Sequence, residues 1–374
     1  MENLSLNNDV LVGGRKFHIQ TNFSDGDQVI SSKVFNEGRV IDSKEVFVNG
    51  NAARDDIKNR LNEVHQELIT EMEILYYIYE KVKTVKHAPS SNKLGLLFLK
   101  KALIKEAIEQ FRIALEIEPN FVEVFANLGR ALIIADSYDE AIEVLNKGAE
   151  KAPHFADMQN YLGIAYLRQE KFPKAMEHLE AAIKLNPDYV GAHYHLGMAH
   201  LGQAIISNGG QALANDDVHE MTMEHLNLAA ERMTDWPIPN FQRVLELVSQ
   251  RAYKEAWEVF CDSSPRDTLT HVMNIENEFY LKFMYGGKGK DDHFIAEYVQ
   301  KLENLIVEHP DYADLKNNLG IANLIQCRNL FLKALDEFRA ALKINPDFKR
   351  AEKNLKLAEN DGKGFLILLR AILK

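Results

Sequence analysis

Between residues 92 and 187 the small and large apolar positions recur with a fixed step. Pro119, Pro153 and Pro187 are 34 apart (153 − 119 and 187 − 153). Leu94-Gly95, Leu128-Gly129 and Leu162-Gly163 keep the same step. So do Ala107, Ala141 and Ala175, and so do Phe111, Leu145 and Leu179. Within each period the apolar residues fall three or four apart, which predicts two helices per period. A glycine or alanine lets two helices approach closely, and a proline just past the second helix stops it. Such a pair cannot bury its apolar face alone, so neighbours are expected to stack into a superhelix with a concave and a convex side.

Before this array the period differs. From Arg15 to Val48 it is two, with Phe17, Ile19 and Phe23 on one face. Asp25-Gly26-Asp27 and Asn36-Glu37-Gly38 break the run. Three strands of an antiparallel meander are predicted, with residues 1–10 loose. Over residues 55–86, Ile57, Leu61, Val64, Leu68, Met72, Leu75, Tyr79 and Val82 are spaced 4, 3, 4, 4, 3, 4 and 3. This predicts one long helix with a heptad-like stripe. The stripe has two readings, a homodimer through the 55–86 helix or a cover for the first repeat. The second is preferred, because the end of a solenoid needs covering.

After Pro187 the step falters. Val190, Leu196 and Gly197 open a fourth repeat, but Thr222 echoes Ala175 at a distance of 222 − 175 = 47, which is 13 more than 34. An insertion near residues 203–221 is expected, on a loop edge of the array. Residues 241–260 read as a shorter, degenerate repeat. Residues 314–344 return to the pattern through Leu319-Gly320, Ala334, Phe338, Ala341 and Pro346. After Asp361-Gly362-Lys363-Gly364 a last apolar helix is expected over residues 365–374. The two glycines would let it fold back over the final repeat, the preferred reading; docking on a partner and a weak membrane-surface contact are the alternatives. The segments are thus 1–50 (β-rich), 51–88 (long connecting helix), 89–360 (repeat array) and 361–374 (apolar helix).

Leu-Gly early, Ala midway, a large apolar residue four later and Pro at the end, at a period of 34, resembles the tetratricopeptide repeat (TPR) superfamily. Taken with the β meander and the long helix, the fold class expected is mainly α, a tetratricopeptide-type α-α superhelix. The β segment is similar to short leaders that precede some bacterial repeat arrays. The resemblance implies an interaction scaffold or adaptor holding a peptide or helix of a partner protein in the concave groove. The alternative is a regulatory or assembly subunit of a larger enzyme complex, with any chemistry in the β segment or the inserted helices. In this family the concave wall comes from fixed positions of each first helix. These positions carry Arg130, Asn160, Ile164, Arg168, Tyr194 and Met198 here. Arg130, Asn160 and Arg168 occur without the full set of lysines of a carboxylate clamp, so an extended or helical peptide is the expected ligand.

Composition narrows the partner. The chain has a net charge of −11 and a pI near 5.7, which argues against nucleic acid, whose binding face is basic. No window approaches about 18 uninterrupted apolar residues, so no membrane span is expected, and residues 1–12 lack the pattern of a signal peptide. Cys261 and Cys327 lie far apart, as reduced thiols of a cytoplasmic protein would. No catalytic residue is assigned. Gly286 to Lys290 has no preceding strand and no Ser or Thr after its lysine, as a phosphate loop would need. His193, His195, His200, His219 and His225 lie close in sequence, yet two of them occupy packing positions of the repeat. Neither a metal nor a cofactor is expected.

Overall fold

The structure, a computed structural model, describes residues 4–49, 52–207, 216–233, 238, 240–263, 275–288 and 291–372. At 275, 361–363 and 365–372 the description is of the backbone. Residues 1–277 and 278–374 form two compact units.

The first unit opens with four strands, β1 (Ser5–Val12), β2 (Arg15–Ser24), β3 (Val29–Asn36) and β4 (Arg39–Phe47). They form one antiparallel sheet in sequence order. One strand more is present than the sequence pattern predicts. β1 pairs with β2 from Ser5↔Asn22 to Val12↔Arg15, through a two-residue turn of Gly13 and Gly14. Both glycines have positive φ, +56° and +76°, as the tightest hairpin turn requires. Its Ser, Asn and Asp residues hide the strand from a search for apolar alternation, and Gly-Gly between Val12 and Arg15 is the signal that finds it.

The sheet buries one face. Phe17 and Ile19 of β2 and Ile30 and Val34 of β3 are fully enclosed. Helix α1 (Arg54–Val85) covers them with Leu61, Val64, Leu68 and Met72. The same stripe continues to Leu75, Tyr79 and Val82, all buried. The face expected either to pair with a second copy or to cover the array is therefore enclosed within the chain. Between sheet and helix lie two buried hydroxyls and an imidazole. Thr21 Oγ1 is 2.5 Å from Ser32 Oγ and 2.7 Å from His65 Nδ1. Burial holds His65 below the usual histidine range, so the ring is neutral; the two hydroxyls and Nδ1 satisfy one another, while His65 Nε2 is buried without a partner. Glu106 is a second pin. It is 3% exposed, pairs with Arg15 at 2.7 Å and accepts from the Tyr76 hydroxyl at 3.0 Å.

Five helical hairpins follow: α2 (Ala88–Lys100) with α3 (Ile104–Ile117), α4 (Val122–Ile134) with α5 (Tyr138–Lys151), α6 (Ala156–Arg168) with α7 (Phe172–Leu185), α8 (Val190–Ser207) with α9 (Asp216–Arg232), and α10 (Phe241–Ser249) with α11 (Tyr253–Asp262). The first three are the repeats of the 34-residue step. Their turns sit at Ala102, Asp136 and Glu170, each at φ +56°, and Arg251 at +60° turns the fifth. The glycines fix the crossings. A Cβ on Gly95 would lie 2.5 Å from Phe111, one on Gly129 2.4 Å from Leu145, and one on Gly163 2.5 Å from Leu179. α8 is longer than its counterparts. Of the insertion expected near 203–221, residues 203–207 lie in α8 and 216–221 in α9, and residues 208–215 lie outside the described residues.

The histidines of the fourth repeat are packing residues. His193 Nε2 is 2.9 Å from the Pro187 carbonyl, and its Nδ1 is 3.2 Å from His225 Nδ1. His200 stacks on His225 with parallel rings 6.0 Å apart. His195 Nδ1 is 2.6 Å from the Gly191 carbonyl. Burial pushes His195 down to about 3. Burial, then the neighbouring His193 and His200, push His225 down to about 4.

The second unit contains α13 (Asp292–Glu308), α14 (Ala313–Ile344) and α15 (Lys349–Ile372); α12 (Ile275–Met284) spans the boundary. Phe279 stacks on Tyr298 at 3.8 Å. Two expectations are corrected here. Residues 314–344 keep the repeat signature but form one continuous helix of 32 residues, not a hairpin. Gly320 and Ala334 are 14 apart (334 − 320), whereas Gly163 and Ala175 are 12 apart (175 − 163). No residue of α14 adopts the left-handed conformation that turns the other repeats. Likewise Gly362 and Gly364 do not reverse the chain, because α15 runs unbroken through them to Ile372. A glycine in a helix costs about 1 kcal/mol relative to alanine, which weakens the helix without ending it. The packing of the side chains of 365–374 lies outside the described residues.

Two outcomes follow from the packing. Gly163→Leu should lower stability by roughly 1–3 kcal/mol, because Leu179 occupies the space a side chain would need; a lower denaturant midpoint checks it. His195 and His225 have folded-state values below the unfolded value near 6.5. The unfolded chain therefore binds more protons as pH falls through 6.5. The histidine contribution to stability is present above about pH 6.5 and is lost as pH falls towards 4. Denaturant midpoints measured from pH 7 to 4.5 should decline, and replacing both residues by glutamine should flatten that decline.

Candidate functional site

The first helices α2, α4, α6 and α8 bring a set of polar side chains to one wall. Asn127 donates to Asn92 Oδ1 at 3.0 Å, and Asn92 donates to Glu123 Oε1 at 3.3 Å. Asn160 donates to the Tyr189 hydroxyl at 3.3 Å, and that hydroxyl donates to Asp157 Oδ1 at 2.5 Å. Burial, followed by the charges around it, holds Tyr189 well above the usual phenol range, so it remains a donor. Of these residues, Asn92, Asn127 and Tyr189 were not singled out by sequence reasoning. Their asparagines sit one or two residues before each Leu-Gly, and that polar position beside the small-residue signature is the clue.

The wall has unmet hydrogen-bonding capacity. The Nε and Nη2 of Arg130 and the Oδ1 of Asn160 are buried and without a hydrogen-bond partner. Arg130 lies near Tyr161, where its charge acts to lower the phenol, although burial outweighs it and raises Tyr161. Burying a guanidinium edge and an amide oxygen without partners is costly, on the order of 1–3 kcal/mol for a neutral group and more for a charged one. Such groups call for an explanation.

The remaining predicted residues stand differently. Ile164, Tyr194 and Met198 are buried, as is Asn160. Tyr194 packs between Phe241 of α10, at 5.7 Å, and Phe260 of α11, at 5.9 Å. Burial pushes its hydroxyl above the phenol range. Arg168 lies over the Phe260 ring at 4.7 Å. It donates to the Ser263 carbonyl at 3.0 Å and to the Cys261 carbonyl at 3.5 Å. These are the carbonyls at the C-terminal end of α11, where a helix favours a cation. Trp257 of α11 packs on Phe172 at the start of α7 and closes on Gly202, whose Cβ position would be 2.4 Å from the indole. The wall thus divides. Arg130 and Asn160 carry unmet groups, while Arg168, Tyr194 and Met198 are engaged in the core beneath α10 and α11.

Among the described residues no three His, Cys, Asp or Glu side chains converge to hold a metal, and Cys261 and Cys327 are free thiols. Among the described residues no helix is long and apolar enough to cross a membrane.

The comparisons fit this description. A tetratricopeptide repeat profile matches residues 101–163, and a TPR repeat profile matches residues 165–203. No curated protein matches the chain. Among solved structures, PilF of Pseudomonas aeruginosa is 18% identical, with a TM-score of 0.36 over 62% of this chain and 96% of that one. MamA of Desulfovibrio magneticus RS-1 is 21% identical, with a TM-score of 0.35 over 48% of this chain and 92% of that one. An O-GlcNAc transferase mutant of Thermobaculum terrenum is 21% identical, with a TM-score of 0.32, and the match covers 41% of this chain but 28% of that one. On their 34-residue register, their glycine-centred helix hairpins and the two profile matches, residues 101–203 carry tetratricopeptide repeats.

Proposed function

We propose that this protein is a cytoplasmic, bacterial interaction scaffold that holds a partner polypeptide along the first-helix wall at α4 and α6. Arg130 and Asn160 are its polar anchors, and Ile164 is part of the apolar floor between them. Arg130 offers N–H groups to a backbone carbonyl or a carboxylate. Asn160 Oδ1 accepts from a backbone N–H. The observation that carries the reading is the pair of unmet groups on neighbouring first helices, Arg130 Nε and Nη2 and Asn160 Oδ1. Arg168, Tyr194 and Met198 belong to the same wall, and a partner reaches them only by displacing the α11 end that Arg168 now holds. The net charge of −11 favours a protein partner over nucleic acid. The role is non-catalytic: the site has donors, acceptors and apolar surface, and no nucleophile beside a base.

The test is affinity capture from the native cell with the full chain as bait, followed by identification of the bound proteins. Arg130→Ala combined with Asn160→Ala should reduce capture of the specific partner at least tenfold, while circular dichroism and thermal midpoint show an intact fold. Equal capture by the folded double variant would overturn the reading.

A further inference from the structure

In the first three repeats the small residue of the first helix meets a large residue of the second. Gly95 meets Phe111, Gly129 meets Leu145, and Gly163 meets Leu179, each close enough that a Cβ on the glycine would clash. α14 carries the same two halves of that contact, Gly320 with Phe338, on a single straight helix. At about 1.5 Å per residue their Cα atoms stand about 27 Å apart. Nothing lies within 4 Å of the Cβ position of Gly320. The contact that defines the repeat is present in the sequence, and among the described residues nothing occupies the place beside Gly320.

The unmade contact has a regular setting. Gly320, Leu324, Cys327, Phe331, Ala334 and Phe338 follow one another at 4, 3, 4, 3 and 4 residues, the spacing of a two-helix seam. Gly320, Cys327 and Ala334 are exposed, and Leu324, Phe331 and Phe338 are partly buried. Ala322, Ile325 and Leu335, outside this stripe, are enclosed. The stripe is also complementary to its own reverse. When two copies of α14 run antiparallel with Gly320 opposite Phe338, the sum of paired numbers is 658. The same sum places Leu324 opposite Ala334 and Cys327 opposite Phe331. Every large residue then faces a small one. In the ordinary repeat the sum is 342 for Gly163 and Leu179, and it likewise sets Leu167 against Ala175. An intermolecular pair would rebuild the repeat's own packing, with each copy supplying a first helix to the other's second.

We propose that α14 is a self-association surface: two copies of this chain pair their α14 helices antiparallel through the Gly320–Phe338 stripe, as an opened repeat completed by exchange. The interface is isologous, so the two contacts of the pair are identical and the assembly closes at two chains. It uses residues of the second unit alone. A homodimer through α1 has no such surface, because its stripe is enclosed by the sheet and the repeats.

The experiment uses the full chain with Cys261→Ser and Cys327→Ala, carrying Gly320→Cys and Phe338→Cys. Under mild oxidation the paired arrangement gives a chain of doubled mass on non-reducing gels, reversed by reductant. A disulfide within one chain, recognised by a monomer whose thiols are consumed, would mean that residues 314–344 close into an ordinary hairpin, and would overturn the proposal. Free thiols in a monomer would overturn it equally. Light scattering of the unmodified chain supplies the second arm. A dimer is expected, and Ala334→Glu, at a position exposed in the single chain, should convert it to a folded monomer. A dimer that survives Ala334→Glu would place the interface elsewhere and contradict the assignment.

Discussion

The contact on which the array depends is the meeting of a glycine on one helix with a large apolar side chain on the next. At Gly95, Gly129 and Gly163 the partner side chain already fills the place a Cβ would take. This closeness sets the crossing of each hairpin. The crossing sets where the next hairpin docks, and repetition of one geometry is what turns local packing into a superhelix. The left-handed turn residues Ala102, Asp136 and Glu170 follow at the same 34-residue interval. They cost little beside what the packed crossing returns, since isolated helices of this length are marginal in water.

Function follows from how far that geometry is kept. Where it is kept, across α2 to α7, the first helices present asparagine, aspartate, arginine and tyrosine in register, and a wall of hydrogen-bonding groups results. Where the step lengthens, after α8, the degenerate pair α10 and α11 packs onto the wall itself. The carbonyls at the end of α11 then take Arg168 as a cap. Where two residues are added between the small and large positions, at α14, no turn forms and the halves of the hairpin separate. One constraint, met, altered or unmet, accounts for the three surfaces.

Much of this was legible in the sequence, because the signals are local. The 34-residue step, the prolines past each second helix and the apolar stripe of α1 all read directly into observed elements. The strand β1 was not legible from alternation, since Asn8 interrupts the apolar positions Leu6, Val10 and Val12 on one side, Ser5, Asn7 and Asp9 fill the other, and only Gly13-Gly14 betrays the hairpin. The wall was half legible. Family position assigned Arg130, Asn160, Ile164, Arg168, Tyr194 and Met198 to it, but no pattern connects Arg168 with Phe260 and Ser263, more than ninety residues later. The straightness of α14 was concealed for a different reason. Its signature residues are all present, and only counting the 14 positions from Gly320 to Ala334 reveals the missing turn.

The claim that the glycine and the large side chain act as one unit is tested most directly by a double-mutant cycle on Gly163 and Leu179. Gly163→Ala alone should destabilise by overpacking, and Leu179→Ala alone by leaving a cavity. If the two share one space, the double variant should lose clearly less than the sum, with a coupling on the order of 0.5–3 kcal/mol. Additive losses within about 0.5 kcal/mol would contradict the account.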